Sequence, residues 1–329
     1  MSQGPWGPPP WPQAPPQFPP PTAAGKRSPA PFILGALIVT AAAMIGFILY
    51  SLLSGPDYQN DDYVPPPPGT LAPFPDAQVS EVDTLLTANP LYAQTLPVPV
   101  RCDLTNPDLH LPSATDDEVK AYIDDLMACN MRVWDQPFQG TQRFQLVRPA
   151  VNIYRDSAQT PCGSFGPNGL YCSANQQVYF SRLYPEIHPN LAVTNEPHVI
   201  DEIMSHEFAH GIQARTVLLV GGRYKERQAA NEAQGREFAR RVELQADCFA
   251  GMFLQSVHQS VGYTETDFEQ ISRAMRASGD DELANRPNDP AVRGGHGHGV
   301  SRLYWLQVGL TSTDVGRCNT FTAPSDYVR

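Results

Sequence analysis

Residues Ser205 to Gln213 read SHEFAHGIQ and contain the pattern H-E-x-x-H at His206, Glu207 and His210. Histidines four residues apart lie one turn apart on one face of an α-helix, so both imidazoles can bind one metal ion. The glutamate between them is placed to act on a water molecule held by that metal. The pattern therefore predicts a helix that carries a metal site, around which the rest of the fold is organised.

Apolar residues extend this helical pattern toward the N-terminus. Val199 and Ile203 precede the two histidines at helical intervals, so the imidazoles continue an apolar stripe. We therefore predict a helix over about Pro197–Leu219 with a buried stripe. Because burial disfavours the charged imidazolium, both histidines are expected to be neutral and ready to bind metal.

A second helical segment, about Asn231–Val257, contains the sequence ELQAD from Glu243 to Asp247. Glu243 lies one helix and one loop beyond His210, and its carboxylate is a candidate third metal ligand. Asp247 follows one turn later on the same face and can accept the free N–H of a ligand imidazole. A solvated acidic pair on a surface helix is the alternative, but the histidine pair favours the ligand interpretation.

Two histidines and one glutamate leave a coordination position for water, as in catalytic zinc sites. We therefore expect one Zn²⁺ per chain, with Glu207 as the base that takes a proton from the water. The glycine-rich stretch GGHGHG contains His296 and His298 and is followed by Arg302. These residues are candidates for substrate or oxyanion binding, although the histidine pair could instead bind a second metal or form a solvated turn.

The N-terminal part of the chain has a different composition. Residues 1–25 carry no charge and are rich in Pro, Gln and Gly, which predicts a disordered, partly polyproline-II tail over residues 1–30. A solvated tail is favoured over a ligand for the aromatic-lined groove of a cytoplasmic partner. Residues 31–53 are an uncharged apolar run, long enough to cross a bilayer as a helix. The run exceeds the apolar core of a cleaved signal peptide, so a retained membrane anchor is predicted.

Charges on the two sides of the predicted span indicate its orientation. Lys26 and Arg27 precede it, whereas Asp57, Asp61 and Asp62 follow it. The positive-inside rule places the tail in the cytoplasm and the rest of the chain outside the membrane. All 34 acidic residues but only 21 of the 23 basic residues lie on that outer side, which disfavours nucleic acid as a partner.

All six cysteines also follow the predicted span, at positions Cys102, Cys129, Cys162, Cys172, Cys248 and Cys318. An even number of cysteines in an oxidising compartment predicts disulfides. The sequence does not choose among the 15 pairings of six cysteines. The Cys162–Cys172 pair is favoured because the glycines between the two residues allow a short loop to turn back.

The remaining pattern predicts a Pro-rich linker over residues 54–76 that holds an α+β domain, residues 77–329, away from the membrane. Apolar residues at helical spacing predict helices over about Val79–Ala88 and Asp116–Val133, with Ser113 or Thr115 as the cap of the second. Alternating apolar residues predict two or three antiparallel strands that include Pro149–Tyr154 and Gln177–Ser181. Further helices are expected at about Thr266–Ala277 and Leu303–Leu310.

Three segments, SHEFAHGIQ, ELQADCFAG and HGHGVSRLYWLQVG, resemble in this order the family of putative neutral zinc metallopeptidases, membrane-anchored proteins with a zincin-like fold. TPCGSFGPNGLYC and NQQVYF resemble the same family, and the likeness spans about residues 147–321. The resemblance implies hydrolysis of peptide bonds, with His206, His210 and Glu243 as zinc ligands and Glu207 as base.

The resemblance also bears on residues outside the zinc ligands. It matches His296 and Arg302 to the family's H-G…R element, which makes His296 a candidate catalytic residue. It implies that the strand around Val178–Phe180 is the edge along which a peptide lies, so Tyr179 would contact substrate. Both Cys248 and Cys318 have counterparts in the family and are expected to pair.

Two hypotheses from different classes therefore follow. The first is a membrane-anchored, extracytoplasmic zinc metallopeptidase acting on proteins or peptides. The second is a non-catalytic envelope or scaffold module with a structural zinc site. A structural site has no use for Glu207, so this residue distinguishes the two hypotheses.

Overall fold

The computed structural model describes residues 55–69, 71–184 and 197–329. The predicted tail and membrane span, residues 1–30 and 31–53, lie outside the described residues. Within the described ranges, no helix is both long enough and apolar enough to cross a membrane. Residues 56–329 form one compact unit.

The described residues form an α+β structure, as predicted. The α-helices are α1 (Val82–Thr87), α2 (Asp116–Gly140), α3 (Pro197–Arg215), α4 (Leu218–Gln228), α5 (Glu232–Val261), α6 (Glu265–Ala277), α7 (Asp280–Leu283) and α8 (Gly299–Leu310). The strands are β1 (Ala150–Tyr154), β2 (Ala158–Thr160), β3 (Gly163–Phe165), β4 (Gly169–Cys172) and β5 (Gln177–Ser181).

Helix α2 begins at a capping box, in which the Thr115 side chain bonds the backbone of Glu118 and the Glu118 carboxylate bonds the backbone of Thr115. The helix continues beyond the predicted end at Val133 because Trp134 and Phe138 extend its apolar face and are buried. Its buried face packs against α3 and β1.

The main sheet has the strand order β1–β5–β4. β5 pairs in parallel with β1 and antiparallel with β4, with Val178 opposite both Val151 and Tyr171. The prediction of antiparallel strands is therefore wrong for β1 and β5, and the expectation that Val178–Phe180 is an edge strand is also wrong. Alternation of apolar residues identifies a strand but not the strands beside it. Here the chain passes through the β2–β3 hairpin and β4 before β5 pairs between β1 and β4.

The predicted helix Pro197–Leu219 is divided into α3 and α4. Val217 adopts a left-handed backbone conformation with φ of 70°, which ends the helical path after Arg215. The Asn89 side chain donates to the carbonyl oxygen of Thr216, one of the groups left without a partner at the helix end. This contact comes from a residue far away in the sequence and has no local signal.

Helix α5 lies at the centre of the fold and packs against α3, α4 and α8. The close crossing of α5 and α8 requires Gly251 and Gly309, because a Cβ atom on either would overlap the backbone of the facing helix. Because the helices cross closely, Arg302 of α8 contacts Asp247 on the facing side of α5.

Three disulfides link all six cysteines. The pairs Cys162–Cys172 and Cys248–Cys318 are both present, and Cys102–Cys129 is the third. The first closes the hairpin onto β4, and the second connects α5 to the C-terminal segment. Both favoured pairings are therefore confirmed.

The segment predicted as a Pro-rich linker, residues 54–76, contacts the rest of the domain at several of its described residues. Arg215 is buried and donates to the carbonyl oxygens of Ala72 and Pro73, at 3.1 and 2.8 Å. Nearer its start, Asp61 pairs with Arg101 at 2.7 Å. The compact unit therefore begins at Pro56 rather than at residue 77. The proline content of the segment gave no sign of these carbonyl contacts.

Candidate metal centre

Helices α3 and α5 bring the three predicted ligands together. The Nε2 atoms of His206 and His210 each lie 3.4 Å from the same oxygen, Oε2 of Glu243. The three candidate ligand atoms all lie within 4.8 Å of one another. Donors that surround one zinc ion at its usual bond lengths in a tetrahedron are roughly 3.4 Å apart, so the spacing fits a single Zn²⁺.

Asp247 orients the ring of His206. Its Oδ1 accepts a hydrogen bond from His206 Nδ1 at 2.7 Å, and the carboxylate is fully buried. Because Nδ1 donates to Asp247, Nε2 is the ring nitrogen that is available to a metal ion. Asp247 is thus the acceptor that the sequence predicts.

Arg302 in turn holds Asp247. Its Nε and Nη2 donate to the two carboxylate oxygens at 3.0 and 2.8 Å, and its Nη1 donates to Ser278 Oγ at 2.7 Å. Every nitrogen of the guanidinium group therefore donates inside the protein. The structure places Arg302 as a positioning residue for Asp247 rather than as the predicted substrate or oxyanion group.

The second histidine is oriented by a residue to which the sequence analysis gives no role. His210 Nδ1 lies 2.9 Å from Gln213 Oε1, and Gln213 Nε2 donates to the carbonyl oxygen of Val242 at 2.7 Å. Gln213 is fully buried, so α5 fixes its amide and hence the ring of His210. The sequence offered one indication of this contact, because residues three apart on a helix lie on the same face.

His206 departs from the expectation that burial keeps the imidazole neutral. Burial disfavours the imidazolium of His206, but hydrogen bonds to Asp247 and Glu243 outweigh it and raise the pKa of His206 well above its usual value. Burial likewise opposes the charge of Glu243, yet His210 and His206 hold its pKa well below the usual range. The site therefore attracts a cation, for which a proton and a metal ion compete.

A cleft of about 1270 Å³ opens over the three candidate ligands. Helix α3 lines one side of it, and the loop before β4 with β4 itself lines another. Glu207 is buried and lines the same cleft. A Cβ atom added at Gly169 would lie only 3.1 Å from Ile203 Cγ2, so glycine at this position lets the edge strand β4 approach helix α3 closely.

The two histidines of the glycine-rich loop have different surroundings. His296 lines the cleft, and its Nδ1 lies 3.3 Å from Asp280, whose hydrogen bond raises the pKa of His296. His298 is buried, and its Nε2 lies 2.8 Å from the carbonyl oxygen of Val292. His298 thus acts in the packing of the loop before α8, whereas His296 faces the space available to substrate.

Tyr179 does not occupy the predicted position beside a bound peptide. It lies on the central strand β5 and packs with Leu170 and Cys172 in a small apolar cluster. Its hydroxyl accepts a hydrogen bond from Asn175 at 2.8 Å. The prediction failed because the strand order was wrong.

Glu202 is a further acidic residue at the cleft that the sequence analysis did not identify. It lies one turn before His206 on α3, lines the cleft and is only 4% exposed. Its Oε1 has no hydrogen-bond partner among the described residues. Burial raises the pKa of Glu202 to about 7, although His206 and Arg302 act in the opposite direction.

These residues suit a catalytic metal better than a structural one. The donor set contains two imidazole nitrogens and one carboxylate, and both rings are held by hydrogen bonds on their Nδ1 side. A structural zinc usually has four protein ligands, whereas the described residues gather three around this point. The cleft above the three provides space for water and substrate.

The fold and the donor set define the class of H-E-x-x-H zinc sites with a glutamate on a following helix. A family model described as "Putative neutral zinc metallopeptidase" matches residues 104–321. The match covers more than half of the chain, which therefore belongs to this family.

The chain is similar to curated proteins that are themselves named as uncharacterized. It is 31% identical over 220 residues to YpfJ of Escherichia coli, a match that covers 64% of this chain and 74% of YpfJ. It is 28% identical over 195 residues to Mb2605 of Mycobacterium bovis and to Rv2575 of Mycobacterium tuberculosis, covering 54% of this chain and 63% of each relative. No solved structure matches the chain significantly.

Proposed function

We propose that the protein is a zinc metallopeptidase that hydrolyses peptide bonds of extracytoplasmic proteins or peptides. The observation that carries this proposal is the convergence of both Nε2 atoms on one Glu243 oxygen, at 3.4 Å each, with Glu207 on the wall of the same cleft. His206, His210 and Glu243 would hold the zinc ion, which would act as a Lewis acid that lowers the pKa of water and polarises a carbonyl group.

The chain's own residues then act on the substrate. Glu207 accepts a proton from the attacking water and passes it to the leaving amine. His296 faces the cleft and, because Asp280 raises its pKa, remains a hydrogen-bond donor to the negative charge that develops on the carbonyl oxygen. Asp247 and Gln213 prevent rotation of the two ligand rings while the charge changes.

The edge strand β4 offers a place for the peptide backbone. Within the described sheet β4 pairs only with β5, so one side of its backbone is free to bind an extended chain. Gly169, Leu170 and Tyr171 of this strand line the cleft. A substrate that adds a strand here lies above α3, with its scissile bond beside Glu207.

The proposal includes a membrane anchor at residues 31–53, supported by the length of this apolar run and by the charges beside it. The catalytic domain then lies outside the membrane, where its disulfides are stable. The Pro-rich tail stays in the cytoplasm, accessible to partners with aromatic-lined grooves. Resistance of the full chain to alkaline extraction from membranes, with protease access to the domain from outside only, tests this arrangement.

The activity is tested with Glu207→Gln in the full chain. We expect the variant to bind one zinc per chain while hydrolysis of a protein substrate falls by about 10²–10⁴-fold, because the general base is lost. Zinc content is measured by atomic absorption and cleavage by mass spectrometry of a broad peptide library. A chelator should abolish cleavage by the unsubstituted protein, and added zinc should restore it.

Two results would reject parts of this proposal. If the unsubstituted, zinc-loaded protein cleaves no peptide in the library, the enzyme hypothesis fails and the scaffold hypothesis is favoured. If His206→Ala still holds one zinc per chain, the ligand assignment fails.

A further inference from the structure

The cleft contains an acidic group with no role in the proposed chemistry. Glu202 lies one turn before His206 and reaches the cleft from within the protein, at 4% exposure. Its Oε1 is buried without a hydrogen-bond partner among the described residues, an unfavourable arrangement that calls for a polar or cationic partner.

Neighbouring cations do not supply the missing partner. Arg302 also lines the cleft, but its hydrogen bonds go to Asp247 and Ser278. The ligand atoms of Glu202, His206 and Asp247 lie within 4.8 Å of one another. They do not form a second metal site, because His206 Nδ1 already bonds Asp247 and its Nε2 faces Glu243.

Apolar side chains line the same part of the cleft. Helix α3 contributes Val199 and Ile203, one on each side of Glu202 in the sequence, and it packs against α6. Ala274 of α6 and Leu283 of α7 line the cleft as well. The combination of apolar walls and an acidic group suits a long aliphatic side chain that ends in a positive charge.

We propose that Glu202 forms a specificity subsite for a cationic group of the substrate, an ammonium or guanidinium. This inference rests on the proposed function, because it assigns a substrate class to the same cleft. The peptides selected carry Lys or Arg near the scissile bond, with the aliphatic stem against Val199 and Ile203. A free N-terminal ammonium offers the same charge and is the second source of this chemistry.

The test measures binding rather than turnover, so that it does not depend on catalysis. The full chain carrying Glu207→Gln is loaded with zinc and titrated with N-acetylated peptides that contain either Lys or norleucine at one position. Norleucine keeps the aliphatic stem and removes the ammonium. A third peptide has norleucine and a free N-terminus, which separates the two sources of positive charge.

We expect a cationic peptide to bind at least tenfold more tightly than the acetylated norleucine peptide, by fluorescence anisotropy. Adding Glu202→Gln should bring this ratio close to one, whereas adding Glu269→Gln should leave it unchanged. Glu269 is an exposed glutamate of α6 outside the cleft and controls for the loss of one negative charge. Circular dichroism of each variant shows whether it is folded.

The outcomes separate this inference from the proposed function. The subsite is overturned if the Glu207→Gln protein binds the cationic and norleucine peptides equally, or if adding Glu202→Gln leaves the affinity ratio unchanged. Either result overturns it even if the unsubstituted protein cleaves peptides. A Glu202-dependent ratio in a protein that cleaves nothing supports the subsite and rejects the peptidase.

Discussion

At the scale of single residues, the orientation of the two ligand imidazoles depends on two different partners. Asp247 supplies a full negative charge to His206, whereas Gln213 supplies a neutral amide oxygen to His210. A charged acceptor strengthens the hydrogen bond and makes the ring a better metal ligand. We therefore expect the contribution of His206 to zinc binding to depend on Asp247, which Arg302 holds in turn.

Asp247→Asn tests this dependence. The change keeps the shape of the side chain but removes its charge, and it leaves Arg302 buried without a carboxylate. We expect zinc affinity to fall by about 10–100-fold. Competition with a chromophoric chelator measures the affinity. Unchanged affinity in the folded variant would show that Asp247 does not act through His206.

The raised pKa of Glu202 should make the free energy of unfolding depend on pH. Its pKa is about 7 in the folded protein and 4.5 as a free side chain, because burial disfavours the charge. Between these values the folded state keeps a proton that the unfolded state loses, so stability falls as pH rises from 4.5 to 7. The decrease is on the order of 3 kcal/mol and is absent in Glu202→Gln.

Urea denaturation of the metal-free proteins at several pH values measures this effect. The difference in free energy of unfolding between Glu202→Gln and the unsubstituted protein should grow in favour of the variant up to about pH 7 and then level off. Glu269→Gln should show no such trend. Parallel pH curves for the Glu202 variant and the unsubstituted protein would contradict the prediction.

Sequence spacing was sufficient for some of these residues and not for others. The convergence of the three candidate ligands could be predicted, because helical periodicity places His206 and His210 on one face and Glu243 offers a further carboxylate. The position of Glu202 in the cleft could not be predicted, because it depends on which residues of α6 and α7 line the cleft with it. Tyr179 was misplaced for a similar reason, since side-chain alternation along β5 does not reveal its two neighbouring strands.

At the scale of elements, the crossing of α5 and α8 connects packing to the metal centre. Gly309 of α8 faces the backbone of α5 next to Cys248, and a Cβ atom there would overlap the carbonyl oxygen of Cys248. The same crossing places Arg302 against Asp247. Separation of the two helices would therefore loosen the support of His206.

Gly309→Ala should destabilise the protein by about 3 kcal/mol, because neither backbone can move without disturbing the buried core. Zinc affinity should fall as well, since Arg302 moves with α8. Denaturant titration and chelator competition measure the two effects. Gly166→Ala is the matched control, because no heavy atom lies within 4 Å of its added Cβ. Equal stability of the two variants would show that the helices can separate without penalty.

The elements themselves were predicted with uneven success. The α5 helix and the N-terminus of α2 follow from apolar periodicity and from the Thr115 capping box. The break between α3 and α4 was missed because it depends on Val217 and on a contact from Asn89. Local patterns therefore define where helices exist, whereas distant contacts decide where this one ends.

At the scale of the whole molecule, residues 56–76 form the first part of the compact unit that carries the candidate metal centre. The carbonyl groups of this segment satisfy Arg215 at the end of α3, and the ring of Phe74 lies 5.5 Å from the Arg215 guanidinium. Phe74 and Pro75 also line the cleft. The segment thus contributes both to the stability of the domain and to the wall of the site.

Removal of residues 1–76 should therefore weaken the domain, whereas removal of residues 1–55 should not. The shorter chain leaves the buried guanidinium of Arg215 without two of its acceptors, a loss of about 1–3 kcal/mol, and exposes the apolar surface beneath the segment. We expect its thermal midpoint to lie at least about 5 °C below that of the longer chain, measured by circular dichroism with zinc present. Arg215→Lys in the longer chain should reproduce part of the decrease, because the ammonium group cannot reach all the carbonyl oxygens that the guanidinium contacts. If the two truncated chains unfold at the same temperature, the segment is only a spacer and its contacts add nothing to the fold.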